Sequence, residues 1–105
     1  MIKLTVTYKK PSDPQKFDDY YFGTHMPLAE KMPGLISADV TKYGPGLDGS
    51  EPPWYIQTGL VFESTDALMA CFGTPEGQAV GADVANFESD GVIMSLGEIA
   101  RSFGK

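Results

Sequence analysis

Cysteine and histidine each occur once in this chain, as Cys71 and His25. A lone cysteine rules out an intramolecular disulfide, and one cysteine with one histidine leaves a Cys/His zinc site short of ligands. Basic residues are scarce as well. None falls between Lys42 and Arg101, a stretch that holds nine acids, and the formal net charge is -6. Nucleic-acid binding needs a basic footprint that displaces counterions from phosphate, so DNA and RNA are excluded as partners. Anionic membrane surfaces are excluded by the same argument. No apolar run approaches the ~18 residues of a membrane span. The chain opens straight into Ile2-Lys3-Leu4-Thr5-Val6 without a long apolar leader, which together with the single cysteine favours the cytoplasm. General catalytic motifs are missing too. There is no GxGxxG after the first strand, no GxxxxGK[ST], no GxSxG elbow and no HExxH, and no spacing selects a serine for a triad.

What is present reads as one domain over residues 1–105, at 42% hydrophobic and 21% charged residues. Ile2, Leu4, Val6 and Tyr8 alternate with Lys3, Thr5 and Thr7, the period of a strand. Ser12 with Gln15, or Asp13 before Pro14, predicts a helix start. Phe17, Tyr20, Tyr21, Thr24 and Leu28 then follow at helical spacing until Pro27 interrupts the ladder or starts a new turn. Strands are expected over 35–43, 54–63 and 92–96, with a loop over 86–91. Ser64-Thr65-Asp66 and Thr74-Pro75-Glu76 each predict a helix start. The order strand, helix, strand, strand, helix, strand is the ferredoxin-like α+β arrangement, an antiparallel sheet with both helices on one face. The other face is expected to carry Tyr55, Val61 and Ile93. Such a face is too apolar to stay wet, so the expectation is a homodimer packed sheet to sheet.

Chemistry centres on His25, the one side chain of its kind and the type suited to proton transfer near neutral pH. Aromatic residues supply the walls of a small-molecule pocket. In that reading His25 is the general base or acid on an acidic C–H or phenolic O–H of a cyclic substrate, and Tyr21 and Tyr55 donate to an enolate oxygen. Trp54, Phe22 and Phe62 are further ligand-binding candidates. Plain core packing is the competing reading for the aromatics. Asp83 is placed to orient the His25 ring, although a solvated acid on a helix face is the commoner arrangement. Cys71 reads as buried and inert.

The pattern Phe17-x-x-Tyr20-Tyr21-x-x-x-His25-x-Pro27-Leu28, followed by Met32-Pro33-Gly34-Leu35 and by Ala82-Asp83-Val84-Ala85-Asn86-Phe87, resembles the EthD family over nearly the whole chain. The resemblance implies a dimeric α+β barrel and carries the family's histidine onto His25 and its preceding aromatic onto Tyr21. It further implies a ligand cleft between sheet and helices that gathers His25, Tyr21, Tyr55 and Trp54. The superfamily includes cofactor-independent monooxygenases, isomerases, and haem-degrading and haem peroxidase enzymes. The expected activity is therefore a small-molecule enzyme for a cyclic, aromatic or polyketide-like metabolite, working without metal or organic cofactor. Oxygenation, isomerisation and dehydration all stay open. The alternatives are a non-enzymatic binding or accessory protein for a hydrophobic ligand, and a haem protein with His25 as axial ligand.

Overall fold

The computed structural model describes residues 1–87 and 91–104. The loop expected over 86–91 includes 88–90, which lie outside the described residues. Alternation of apolar and β-branched residues forms β1 (Ile2–Tyr8), and β2 (Ser37–Lys42), β3 (Ile56–Phe62) and β4 (Val92–Glu98) complete an antiparallel sheet in the order β2-β3-β1-β4. This is the ferredoxin-like order. The observed β2 and β3 are shorter than their apolar runs, and β4 runs on through Glu98.

Register decides the faces. Val6 lies opposite Thr58 and Met94, and Thr7 opposite Gln57 and Ile93. Period two then puts Leu4, Val6, Tyr8, Thr58, Leu60 and Met94 under the helices, with Thr5, Thr7, Gln57, Gly59, Val61 and Ile93 on the opposite side. Tyr55 does not join that outer face. Its hydroxyl donates to Asp18 Oδ1 at 2.8 Å and its ring meets Phe17 edge-on at 5.7 Å, so it packs with the helix layer. The outer face is consequently more polar than expected. Its centre carries a ladder in which the Tyr43 hydroxyl donates to Gln57 Oε1 at 3.0 Å and Gln57 Nε2 donates to Thr7 Oγ1 at 3.1 Å.

Helix α1 (Pro14–Tyr20) is capped by Asp13, whose carboxylate accepts from the Lys16 N–H at 3.1 Å. Pro14 sits where an N–H has no partner to lose. The cap is Asp13 and not Ser12, and Gln15 reaches forward to Asp19 at 2.8 Å instead of backward. The helix does not break at Pro27. A π turn over Tyr21–His25 widens the coil, with the Met26 N–H bonding the Tyr21 carbonyl five residues back, and α2 (Met26–Ala29) continues from it. In a regular α-turn the Pro27 ring would collide with the carbonyl four residues earlier. The wider turn removes that collision.

Helix α3 (Thr65–Phe72) is capped by Ser64 and α4 (Pro75–Asp83) by Thr74, each accepting a backbone N–H at 3.1 Å. A Cβ at Gly77 would stand 2.1 Å from the Cys71 carbonyl oxygen, so α4 crosses α3 at a distance only glycine allows. The 3-10 turn Val84–Asn86 ends α4 and delivers Phe87 into the interior. Two buried clusters result. One joins Ala29, Met32, Leu60, Phe62, Leu68 and Cys71, and the other is aromatic, built on Tyr8, Phe17, Tyr21 and Phe87. Among the described residues no helix is long and apolar enough to cross a membrane.

Candidate functional site

A cavity of about 350 Å³ lies between the two clusters, floored by β1 and β3 and roofed by the helices. Apolar residues, among them Leu4, Val6, Leu60, Leu68, Val80 and Met94, make most of its wall. His25, Tyr21, Tyr8 and Thr58 are the polar exceptions. Two of them meet on the π turn. Tyr21 and His25, four residues apart, lie on the same inward side, where both are buried and their rings stack at 5.4 Å. Phe87 closes on the other side of the imidazole, edge-on at 4.7 Å.

Asp83 holds the ring. Its Oδ2 lies 2.9 Å from His25 Nδ1, while Oδ1 accepts from the Tyr20 hydroxyl at 2.6 Å and from Asn86 Nδ2 at 3.1 Å. Asp83 is itself buried, against the expectation of a solvated helix-face acid. Burial works against its ionisation, but the hydrogen bonds from Tyr20, Asn86 and His25 outweigh it and hold the carboxyl below its usual range. An ionised carboxylate only accepts, so Nδ1 carries a hydrogen, and in the neutral ring Nε2 presents the lone pair.

The phenols form a second polar feature. Tyr21 and Thr58 share a short hydroxyl–hydroxyl bond, and the Tyr8 hydroxyl bonds to Tyr21. Burial pushes both tyrosines up, so they remain donors across the physiological range. A ligand oxygen in this cavity meets neutral donors, not charges.

Of the residues proposed from the sequence, His25 and Tyr21 line the cavity. Trp54 and Tyr55 do not: Tyr55 is tied to Asp18 at the far side of α1, and Trp54 is half-buried away from the cavity wall. Phe62 is fully buried in the neighbouring cluster. Phe22 packs edge-on against Tyr21 but turns outward into a separate groove. The polar residues of the site that the sequence did not single out are Tyr8, Tyr20, Thr58 and Asn86. The spacing of Asp83 and Asn86, three apart at a helix end, was the available signal for the clamp on Asp83.

Haem does not fit this cavity. Among the described residues no lysine or arginine lines it to pair with propionates. Among the described residues no three His, Cys, Asp or Glu side chains gather as metal ligands.

The EthD domain pattern matches residues 9–91. The chain belongs to the EthD family. It is 40% identical over 94 residues, 90% of either chain, to the uncharacterized 11.0 kDa protein in the thcB-thcC intergenic region of Rhodococcus erythropolis. It also superposes on an EthD family protein from Bacillus halodurans with a TM-score of 0.86 and 35% identity, covering 93% of this chain and 97% of that one. More distant structures share the fold alone. One is a cofactor-independent oxygenase from Streptomyces nogalater, at TM-score 0.67 and 12% identity over 99% and 97% of the two chains. Another is a dimeric ferredoxin-like protein from Thermobifida fusca, at TM-score 0.68 and 13% identity over 93% and 90%. The segment matched to EthD contains both His25 and Asp83, the two ends of the buried pair.

Proposed function

We propose that this EthD protein is a small-molecule enzyme that works without a cofactor, in which His25 takes a proton from a cyclic substrate held in the apolar cavity. The observation that carries this reading is the His25–Asp83 pair at a cavity lined otherwise, among the described residues, by apolar side chains and neutral hydroxyls, none of which bonds Nε2. Nε2 accepts the proton of a phenolic O–H or an acidic C–H. The electron pair stays on the substrate as a phenolate or enolate. Asp83 stabilises the imidazolium through Nδ1–H, and the one hydroxyl hydrogen that the Tyr21–Thr58 bond leaves free is donated to the oxyanion. Oxygenation, isomerisation and dehydration all begin with this step. The fold shared with a cofactor-independent oxygenase supports it. We further propose a homodimer through the outer sheet face, supported by the dimeric relative of the same fold and by the small, mostly uncharged residues of that face.

The test is turnover of a panel of mono- and bicyclic phenols and enolisable ketones by the native protein and by His25→Gln. Loss of turnover in a variant with an unchanged melting curve supports the proposal. Unaltered turnover refutes it. Tight binding with no turnover by the native protein replaces the enzyme reading with that of a ligand-binding protein.

A further inference from the structure

A second chamber of about 370 Å³ lies on the other side of α2, between that helix and β2. It is walled by Phe22, Leu35, Ala38 and Val40, and it shares Met26, Ala29, Thr58 and Leu60 with the His25 cavity. Thr58 and Leu60 form one floor that runs beneath the helix from one chamber to the other. Ala29 contributes a single methyl above it. Met26 is therefore the partition. Its side chain packs against both buried clusters and is only half-buried. Methionine is unbranched, with three rotatable bonds, and repacks at low cost. Among the described residues the ionisable groups at the second chamber are Glu30 and Asp39, both exposed acids, with the Asp39 carboxylate turned toward Gly59 on the outer face. Glu30, with no cation among the described lining residues, disfavours an anion there.

We propose that the two chambers form one bipartite ligand site. The ring of the substrate occupies the His25 chamber. An uncharged apolar tail on that ring passes Met26 into the chamber walled by Phe22, Ala38 and Val40. Each chamber alone is at the small end for a ligand site, and the pair reaches the ordinary range. The ligand class is a phenolic or enolisable ring bearing an alkyl chain of several carbons without a terminal carboxylate. This rests on the reading of the His25 cavity as the ligand site.

The probes are 2-naphthol, 6-hexyl-2-naphthol and the analogue of the latter ending in a carboxylate. Binding is followed by NMR on the native protein, through the single imidazole and the methyls of Ala38 and Val40. Both uncharged probes should move the His25 signal, but only the hexyl compound should move Ala38 and Val40. It should bind at least about tenfold more tightly, a conservative share of what six buried methylenes supply. The carboxylate analogue should lose that gain. Ala38→Phe, which fills the second chamber and touches only that one, should remove the gain while keeping the affinity for 2-naphthol. If 2-naphthol moves His25 but the hexyl compound leaves Ala38 and Val40 unmoved, the bipartite site is wrong and the reading of the cavity stands. If the tail gain survives in both Ala38→Phe and the carboxylate analogue, the bipartite site is likewise wrong. If neither uncharged probe moves His25, both proposals fall.

Discussion

Replacing Asp83 with Asn should reverse the His25 ring chemistry without unfolding the protein. The carboxylate accepts three donors: the Tyr20 hydroxyl and the Asn86 amide on Oδ1, and His25 Nδ1–H on Oδ2. An asparagine has one acceptor oxygen and one NH2 group. With its oxygen toward His25, the NH2 would face two donors. The favoured orientation keeps the oxygen on Tyr20 and Asn86 and turns the NH2 toward His25. Nδ1 must then offer a lone pair, and the hydrogen moves to Nε2. Every bond is kept in altered form, so the stability cost should be only about 1 kcal/mol. The base is lost from the cavity, and turnover should fall by about 100- to 10,000-fold. Asp83→Ala behaves differently. It strands the buried His25 donor outright, whereas Tyr20 and Asn86 are more exposed and recover water. Removing one member of such a pair should cost about 3 kcal/mol, or roughly 12–20 °C in Tm for a chain of this length. The assay is the two-bond 1H–15N correlation of the one histidine, read beside thermal melts. Retention of the Nδ1–H tautomer in Asp83→Asn refutes the argument. So does an Asp83→Ala melt within about 4 °C of the native protein.

The Asp83 carboxyl is lower in the folded protein than its ordinary value of 3.8. Its contribution to stability is therefore present above about pH 4 and lost as pH falls through the folded value, so the stability gap to Asp83→Asn should shrink in urea titrations below pH 4. The buried phenols of Tyr8 and Tyr21 have the opposite sign. Their folded values lie above 10.0, so stability is complete below pH 10 and falls as pH rises beyond it. Two tyrosines should accordingly resist ionisation in a 295 nm titration until the protein unfolds, and free titration of every tyrosine in the folded protein would contradict this. Gly77→Ala drives a methyl into the Cys71 carbonyl at 2.1 Å and should cost about 3 kcal/mol by forcing α4 off α3, seen as a lowered Tm; a neutral substitution would show that the crossing relaxes freely. Ile93→Lys places a charge on the outer sheet face and should convert the dimer to a species of 11.3 kDa by light scattering. A native mass of one chain would sink the dimer itself.

The architecture was legible in the sequence because it depends on short-range periodicity. Strand β1 alternates over its whole length, and Ser64 and Thr74 stand where caps must be, so the order of elements needed no tertiary information. The site was legible only where one residue carries the signal. His25 stands out by type and Tyr21 by its place four residues earlier on the helix. Tyr55 was misassigned because alternation was extended past the end of β3. Position 55 precedes the strand, and there the pull of Phe17 and Asp18 outweighs the pleat. Asp83 was undervalued because a helix-end acid is usually solvated. Its burial depends on Tyr20, which is 63 positions away in the chain. No local pattern reports that distance.

The π turn joins these observations physically. One additional residue in a helical turn rotates everything after it by about 100° relative to a regular helix. Rewound as an ordinary α-helix, the segment would keep His25 on the Tyr21 face but turn the residues after the π turn round the axis relative to it. It would also press the Pro27 ring against a carbonyl. The proline therefore penalises the regular helix, and the wide turn is the alternative that keeps the segment continuous. A backbone constraint written at Pro27 thus helps to set the direction in which α2 leaves the π turn, with Met26 standing between the two chambers. The same eleven residues, His25 to Leu35, then carry the helix out through the turn at Gly34, whose positive φ of 82° reverses the chain into β2 and brings Ala38 and Val40 back alongside Met26. This segment, which lies within the residues matched to EthD, shapes both sides of the cavity partition.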